Sequence, residues 1–202
     1  LRPDITPSIA RAVAKYFMDE KIPLRFSYCG NTFINNYSLQ GKMKETTQIG
    51  AELVGDDSID GDAEIIALAI NMLKKAGLEN FQLDIGHVGF FKEIVHEAGL
   101  DEDTVSELRK LIIAKNYFGV ETMVKELHLP ESVSEVLGGL PALFGSVSVI
   151  DDARRCTSNE GAGRVLDHLE ALYRRLTLYG FEKYVTIDLG MLTEYEYYTG
   201  II

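Results

Sequence analysis

The chain has 202 residues, 46% hydrophobic and 25% charged, which excludes disordered and fibrous classes and suits a single folded domain carrying one sizeable core. Its formal net charge of −11 argues against an autonomous nucleic-acid binder, because such proteins need a basic face to neutralise phosphates. Cys29 and Cys156 stand far apart without C-x-x-C spacing, and no apolar run reaches the ~18 residues of a membrane span, so neither a disulfide framework, a zinc site nor a transmembrane helix is signalled.

From these features we expect a cytoplasmic protein with no metal, cofactor or membrane association. Leu1-Arg2-Pro3-Asp4 looks nothing like a signal peptide. The absence of an initiator Met and the strand-like ending at Ile202 lead us to treat the sequence as a fragment.

Ile9, Ala10, Val13, Ala14 and Phe17 follow helical spacing, and Thr6-Pro7 reads as a cap and first-turn pair. The aromatic, alternating stretch Leu24 to Phe33 and the stretch Thr46 to Val54 then predict an antiparallel hairpin. Its connection, residues 35 to 42, is rich in turn formers and is expected to be a mobile loop. Ile59 to Ala76 is the clearest helix, acidic at its start and closed by Lys74-Lys75 before Gly77. Phe81 to Ile85 reads as a strand, and Val88 to Ala98 as a helix stopped by Gly99.

Residues 101 to 155 read as a helical insertion with no chemistry of its own: Val105 to Ala114, Val120 to Leu127, Ser132 to Leu137, and a solvated helix end at Asp151 to Arg155. The insertion either docks a partner or simply caps a pocket. A long amphipathic helix, Val165 to Leu178, precedes two strands, Tyr184 to Leu189 and Tyr195 to Ile202. This order predicts an α+β fold with one largely antiparallel sheet flanked by helices, the late strands rejoining the first hairpin. The whole of residues 1–202 is expected to be one domain with the insertion at about 101–155. No G-x-G-x-x-G or G-x-x-x-x-G-K-[ST] loop is present.

Gln48, Gly50 and Glu52 share one strand face by period-two alternation, and the glycine is expected to leave room between two polar side chains for a small polar or cationic ligand. A solvent-facing strand accounts for the same pattern. Tyr195-Glu196-Tyr197-Tyr198-Thr199 offers ring-stacking surfaces, phenol hydroxyls and a carboxylate, a set that suits an imidazole and equally suits ordinary β packing. Arg2 and Asp4 beside a helix start read as an ion pair, a cap or a ligand contact. His87, His96, His128 and His168 lack metal-ligand spacing and are assigned no catalytic role.

In order along the chain, these segments resemble the catalytic domain of class II histidyl-tRNA synthetases over nearly its whole length. Leu1-Arg2-Pro3-Asp4-Ile5-Thr6 resembles the family's L-R-P-E-x-T stretch that contacts histidine. Tyr28 to Phe33, the loop, and Thr47 to Gly55 resemble its motif 2 hairpin, ending in Q-x-G-x-E. Glu196-Tyr197-Tyr198-Thr199-Gly200 resembles the D-Y-Y-T-G end of its histidine-specific segment. The resemblance implies a class II synthetase-like fold and a histidine site formed by Asp4 (in a Glu position), Thr6, Gln48, Glu52, Tyr197 and Tyr198.

The chain departs from the synthetase pattern where ATP chemistry resides. Ile34 stands where the family has an Arg for the ATP α-phosphate, Asn36 stands at a nearby Glu position, and Thr193 stands where the histidine-specific segment carries another Arg. Electrostatic stabilisation of a phosphoryl transition state contributes orders of magnitude in rate, so losing two arginines should abolish activation. A retained amino-acid pocket without nucleotide chemistry is similar to the synthetase-like regulatory subunits of ATP phosphoribosyltransferase. That resemblance implies a non-catalytic protein that binds L-histidine and does not act on tRNA. It also implies a self-dimer within a hetero-oligomer with the short-form catalytic subunit, activating it and mediating feedback inhibition in the first step of histidine biosynthesis. An active histidyl-tRNA synthetase and a stand-alone amino-acid-binding paralogue or scaffold are the alternatives.

Overall fold

The computed structural model describes residues 1–35, 41, 43–193 and 198–202, and the chain divides into two compact units, Leu1–Ile65 and Ile66–Ile202. Most of the predicted loop at 35–42, and residues 194–197 of the predicted last strand, lie outside the described residues.

Unit 1 opens with α1 (Thr6–Tyr16), which has Pro7 in its first turn. None of its residues is fully buried, so its position depends on its ends. At the C-terminal end Phe17 meets Phe26 edge-on, with ring centroids 5.3 Å apart. The hairpin follows: β1 (Leu24–Phe33) and β2 (Glu45–Val54) pair antiparallel without a bulge, from Leu24 opposite Val54 to Phe33 opposite Glu45. After Gly55, whose φ of 89° suits a residue without Cβ, Asp56 accepts from the Ser58 amide. The Ser58 hydroxyl in turn accepts from Gly61 N at 3.1 Å, starting α2 (Ile59–Lys75). Arg25 grips Glu64 through Nε and Nη2 at 2.5 and 2.7 Å.

In unit 2, β3 (Leu83–Ile85) leads to α3 (Val88–Ala98), which ends in left-handed Gly99 as its sequence predicts. The insertion forms α4 (Glu102–Ile113), α5 (Tyr117–Glu126), α6 (Glu131–Gly139) and α7 (Ser148–Cys156). Between α6 and α7 it also contains a two-residue strand, β4 (Phe144–Gly145). Side chains of Asp101 and Asn116 cap α4 and α5, and Asn159 caps α8 (Glu160–Leu178). Leu166, Leu169, Leu172 and Leu176 place one face of α8 in the core, against Phe90, Phe91 and Ile94 of α3 among others. The final strand, β5 (Val185–Asp188), is buried at all four residues, as expected for a central strand covered on both faces.

The α+β class stands, but the pairing differs from one largely antiparallel sheet. Among the described residues the hairpin forms one sheet, and the order β3-β5-β4 forms another. In the second sheet, β3 and β5 run parallel and β4 and β5 antiparallel. The predicted last strand contributes an isolated bridge between Ile201 and His87, with Gly86 and Ile202 exchanging both backbone hydrogen bonds at 2.9 and 3.0 Å. No described helix is long and apolar enough to cross a membrane.

Candidate functional site

In-register pairing fixes the composition of one face of the hairpin. Phe26 opposes Glu52, Tyr28 opposes Gly50, and Gly30 opposes Gln48, so these six residues share that face. Glu52 and Gln48 are both half-buried. The space over Gly50 is not empty as expected: a Cβ there would overlap the Tyr28 phenol, so the ring lies across the glycine. Tyr28 therefore covers the middle of this candidate face, a placement that pattern reading missed. Its signal was the aromatic directly opposite a glycine, a known way of covering bare backbone.

The N-terminal segment supplies the rest of this face. Thr6 does not cap its own helix; its Oγ1 donates to Glu52 Oε1 at 2.6 Å. Asp4 Oδ1 accepts from the amides of Ile5 and Thr6 at 2.7 and 3.4 Å, just ahead of the helix, whose N-cap residue Ile5 has no side-chain cap. Arg2 donates from Nε and Nη2 to the Asn31 carbonyl at 3.1 and 2.8 Å, and a backbone bond from Phe33 N to Arg2 O at 2.8 Å holds the segment along β1. The Arg2 guanidinium lies over Gly30, where a Cβ would be 2.8 Å from Nη2.

Unit 1 thus brings Asp4, Thr6 and Glu52 into one connected chain of hydrogen bonds, with Gln48 four residues from Glu52 on the same face. One Glu52 oxygen is engaged by Thr6, and an ionised carboxylate has several lone pairs remaining for a cation. The face carries a guanidinium, an amide, a phenol and a carboxylate in sequence, a set able to orient a small zwitterion. Ile34, just beyond β1, is neutral and half-exposed.

In unit 2, Tyr198 is half-buried and its carbonyl accepts from Lys92 Nζ at 3.2 Å. Tyr197, like Glu196 and Asn36, lies outside the described residues. His87 caps α3 by accepting from Gly89 N at 3.0 Å, which fixes its Nδ1 as an acceptor, and its ring meets His168 edge-on. Both cysteines are free thiols.

A ten-residue antiparallel hairpin whose second strand carries Q-x-G-x-E, with helices around a small mixed sheet, defines a class II synthetase-like fold. Comparison with known proteins agrees. The family model described as Histidyl-tRNA synthetase matches residues 1–202. The chain belongs to the histidyl-tRNA synthetase family. It is 44% identical over 202 residues to the ATP phosphoribosyltransferase regulatory subunit of Acetivibrio thermocellus, covering 100% of this chain and 48% of that protein. A solved structure from Bacillus halodurans, described as an ATP phosphoribosyltransferase regulatory subunit/histidyl-tRNA synthetase, is similar with a TM-score of 0.90 and 37% identity, over 100% of this chain and 52% of that one. The ATP phosphoribosyl transferase complex of Thermotoga maritima contains a chain of the same fold, with a TM-score of 0.72 at 20% identity, over 100% of this chain and 69% of that one. The chain spans about half the length of the curated relatives it matches.

Proposed function

We propose that this chain belongs to a non-catalytic regulatory subunit of ATP phosphoribosyltransferase that binds L-histidine and passes feedback inhibition to a short-form catalytic subunit. The observation that carries the reading is the Thr6–Glu52 hydrogen bond on a face that also presents Gln48, beside a neutral Ile34 where the synthetases carry an arginine. The printed name of the Acetivibrio relative and the complex formed by the Thermotoga protein support it.

In this proposal residues 1–202 act as one synthetase-like domain, self-dimerised within a cytoplasmic hetero-oligomer that takes no tRNA. Glu52 meets a cationic group of histidine, Gln48 adds hydrogen bonds, and Asp4 and Thr6 hold the carboxylate side of the site in place. Tyr197 and Tyr198 enter through the motif resemblance. For histidine to inhibit, it must bind two states of the assembly unequally, and such coupling is typically ~1–3 kcal/mol.

The test is isothermal titration of the full-length protein with L-histidine and separately with ATP, using Gln48→Ala and Glu52→Ala as controls. Saturable histidine binding that is lost in both variants, without ATP binding, is the expected result and leads to reconstitution with the catalytic subunit. Formation of histidyl adenylate would replace this reading with a synthetase. Histidine binding without any effect on the phosphoribosyltransferase would leave a stand-alone binding paralogue.

A further inference from the structure

Unit 2 contains a small cavity whose walls come from three separate stretches of sequence. Phe91 and Lys92 come from α3, Arg109 comes from α4, and Thr193 and Tyr198 come from the segment after β5. Its volume is about 20 Å³, room for one water-sized oxygen.

Two cations face this space in a chain that has 31 acidic and 20 basic residues. Several cations elsewhere pair with carboxylates: Arg25 with Glu64, Lys115 with Asp188, and Arg154 with Asp167 and Glu170. Among the described residues neither Lys92 nor Arg109 has a carboxylate partner. Lys92 gives one hydrogen bond to the Tyr198 carbonyl, and Arg109 lies over the Phe91 ring with its Cζ 6.0 Å from the centroid. These contacts leave most of the eight N–H donors of the two side chains uncommitted. Two like charges lining one cavity repel, and an anion between them reverses the sign of that interaction.

Thr193 is the position where the histidine-specific segment of the synthetases carries an arginine. We propose that Lys92 and Arg109, with Thr193 also lining the cavity, form a binding site for one oxygen of an oxyanion, a phosphate or a carboxylate. The guanidinium fork and the ammonium are the usual donors to such groups. The insertion then has chemistry of its own through Arg109.

The experiment uses the full-length protein at constant ionic strength. Inorganic phosphate is titrated into the wild type, Lys92→Gln, Arg109→Gln and Arg109→Lys, with chloride as the balancing anion. Acetate is titrated in parallel as the carboxylate probe, and L-histidine is titrated into the same proteins and into Gln48→Ala. Saturable phosphate binding that falls about tenfold or more in the Gln variants, and less in Arg109→Lys, identifies free phosphate as the source. Silence with phosphate, combined with saturable acetate binding that falls in the same variants, identifies a carboxylate instead. If neither anion binds, or the cation variants change the binding of neither anion, the oxyanion site falls, while histidine binding that Gln48→Ala weakens keeps the histidine reading. Should Arg109→Gln fail to fold, exposed Lys92→Gln carries the same comparison.

Discussion

Thr6 Oγ1 lies 2.6 Å from Glu52 Oε1, joining the first residue of α1 to the second strand of the hairpin across 46 positions of sequence. The bond gives the carboxylate a fixed orientation, which matters more for a binding site than for stability, since both partners are only part-buried. With the Thr6 hydroxyl engaged outward, the Asp4 carboxylate accepts from the amides of Ile5 and Thr6 at the entry to the helix.

Thr6→Val should therefore weaken histidine binding by about tenfold while moving stability by ~1 kcal/mol or less, because it removes one side-chain hydrogen bond and keeps the β-branched shape. Glu52→Gln should weaken binding further, since the amide keeps the geometry and loses the charge that a cationic ligand needs. Titration of both variants, alongside thermal melts, checks the pair. A Thr6→Val protein that binds histidine like wild type would remove Thr6 from the site.

Gly50→Ala should separate binding from folding. The added methyl displaces the Tyr28 phenol, which is the movable end of a side chain, and no backbone atom is among its nearest contacts. Alanine also costs less conformational freedom than glycine in a strand, by roughly 0.5–1 kcal/mol. The melting temperature should hold or rise slightly while histidine affinity drops. Equal loss of both would mean that Tyr28 supports the hairpin and not the ligand.

Local periodicity made the helices legible: α3, its Gly99 stop and the hairpin strands fall within a residue or so of their predicted bounds. What escaped was non-local. β4 has two residues, too few for any alternation, and the parallel β3–β5 pairing joins strands 102 positions apart. The site was half legible for the same reason. Gln48 and Glu52 show their shared face through period two, whereas the role of Thr6 depends on a partner that no local pattern names. The covering of Gly50 by Tyr28 depends on cross-strand register, which the turn-rich sequence between the strands does not specify.

Acid should weaken α4 through its cap. The Asp101 carboxyl is held below its ordinary range by the Thr104 backbone N–H, at 3.0 Å, and then by the Thr104 hydroxyl at 2.7 Å. A depressed folded-state value contributes stability above the unfolded value near pH 4, and that contribution disappears as pH falls through the folded value. Asp101→Ala should thus melt earlier than wild type at pH 7, with the gap closing as pH falls below the ordinary carboxyl range and the cap itself is protonated. A gap independent of pH across that range would show that the charge on Asp101 contributes nothing to the cap.

The pair Lys115–Asp188 offers a sharper energetic test. Asp188 is buried, with a side chain only 8% exposed, while that of Lys115 is 42% exposed; the ammonium reaches both carboxylate oxygens at 3.1 and 2.8 Å. Gly190 N adds a third bond at 2.9 Å. Lys115→Met leaves a buried carboxylate with one backbone donor and should cost about 1–3 kcal/mol, below the cost for a fully buried pair because water reaches the ammonium. Asp188→Asn keeps the Gly190 bond and returns Lys115 to solvent, so it should cost less. In the double variant, most of the Lys115→Met penalty should vanish, because the amide needs no counterion. Chemical denaturation of the four proteins measures the coupling. Additive losses would show that Lys115 stabilises unit 2 through its left-handed backbone at φ 50° or its aliphatic stem, and not through the charge of Asp188.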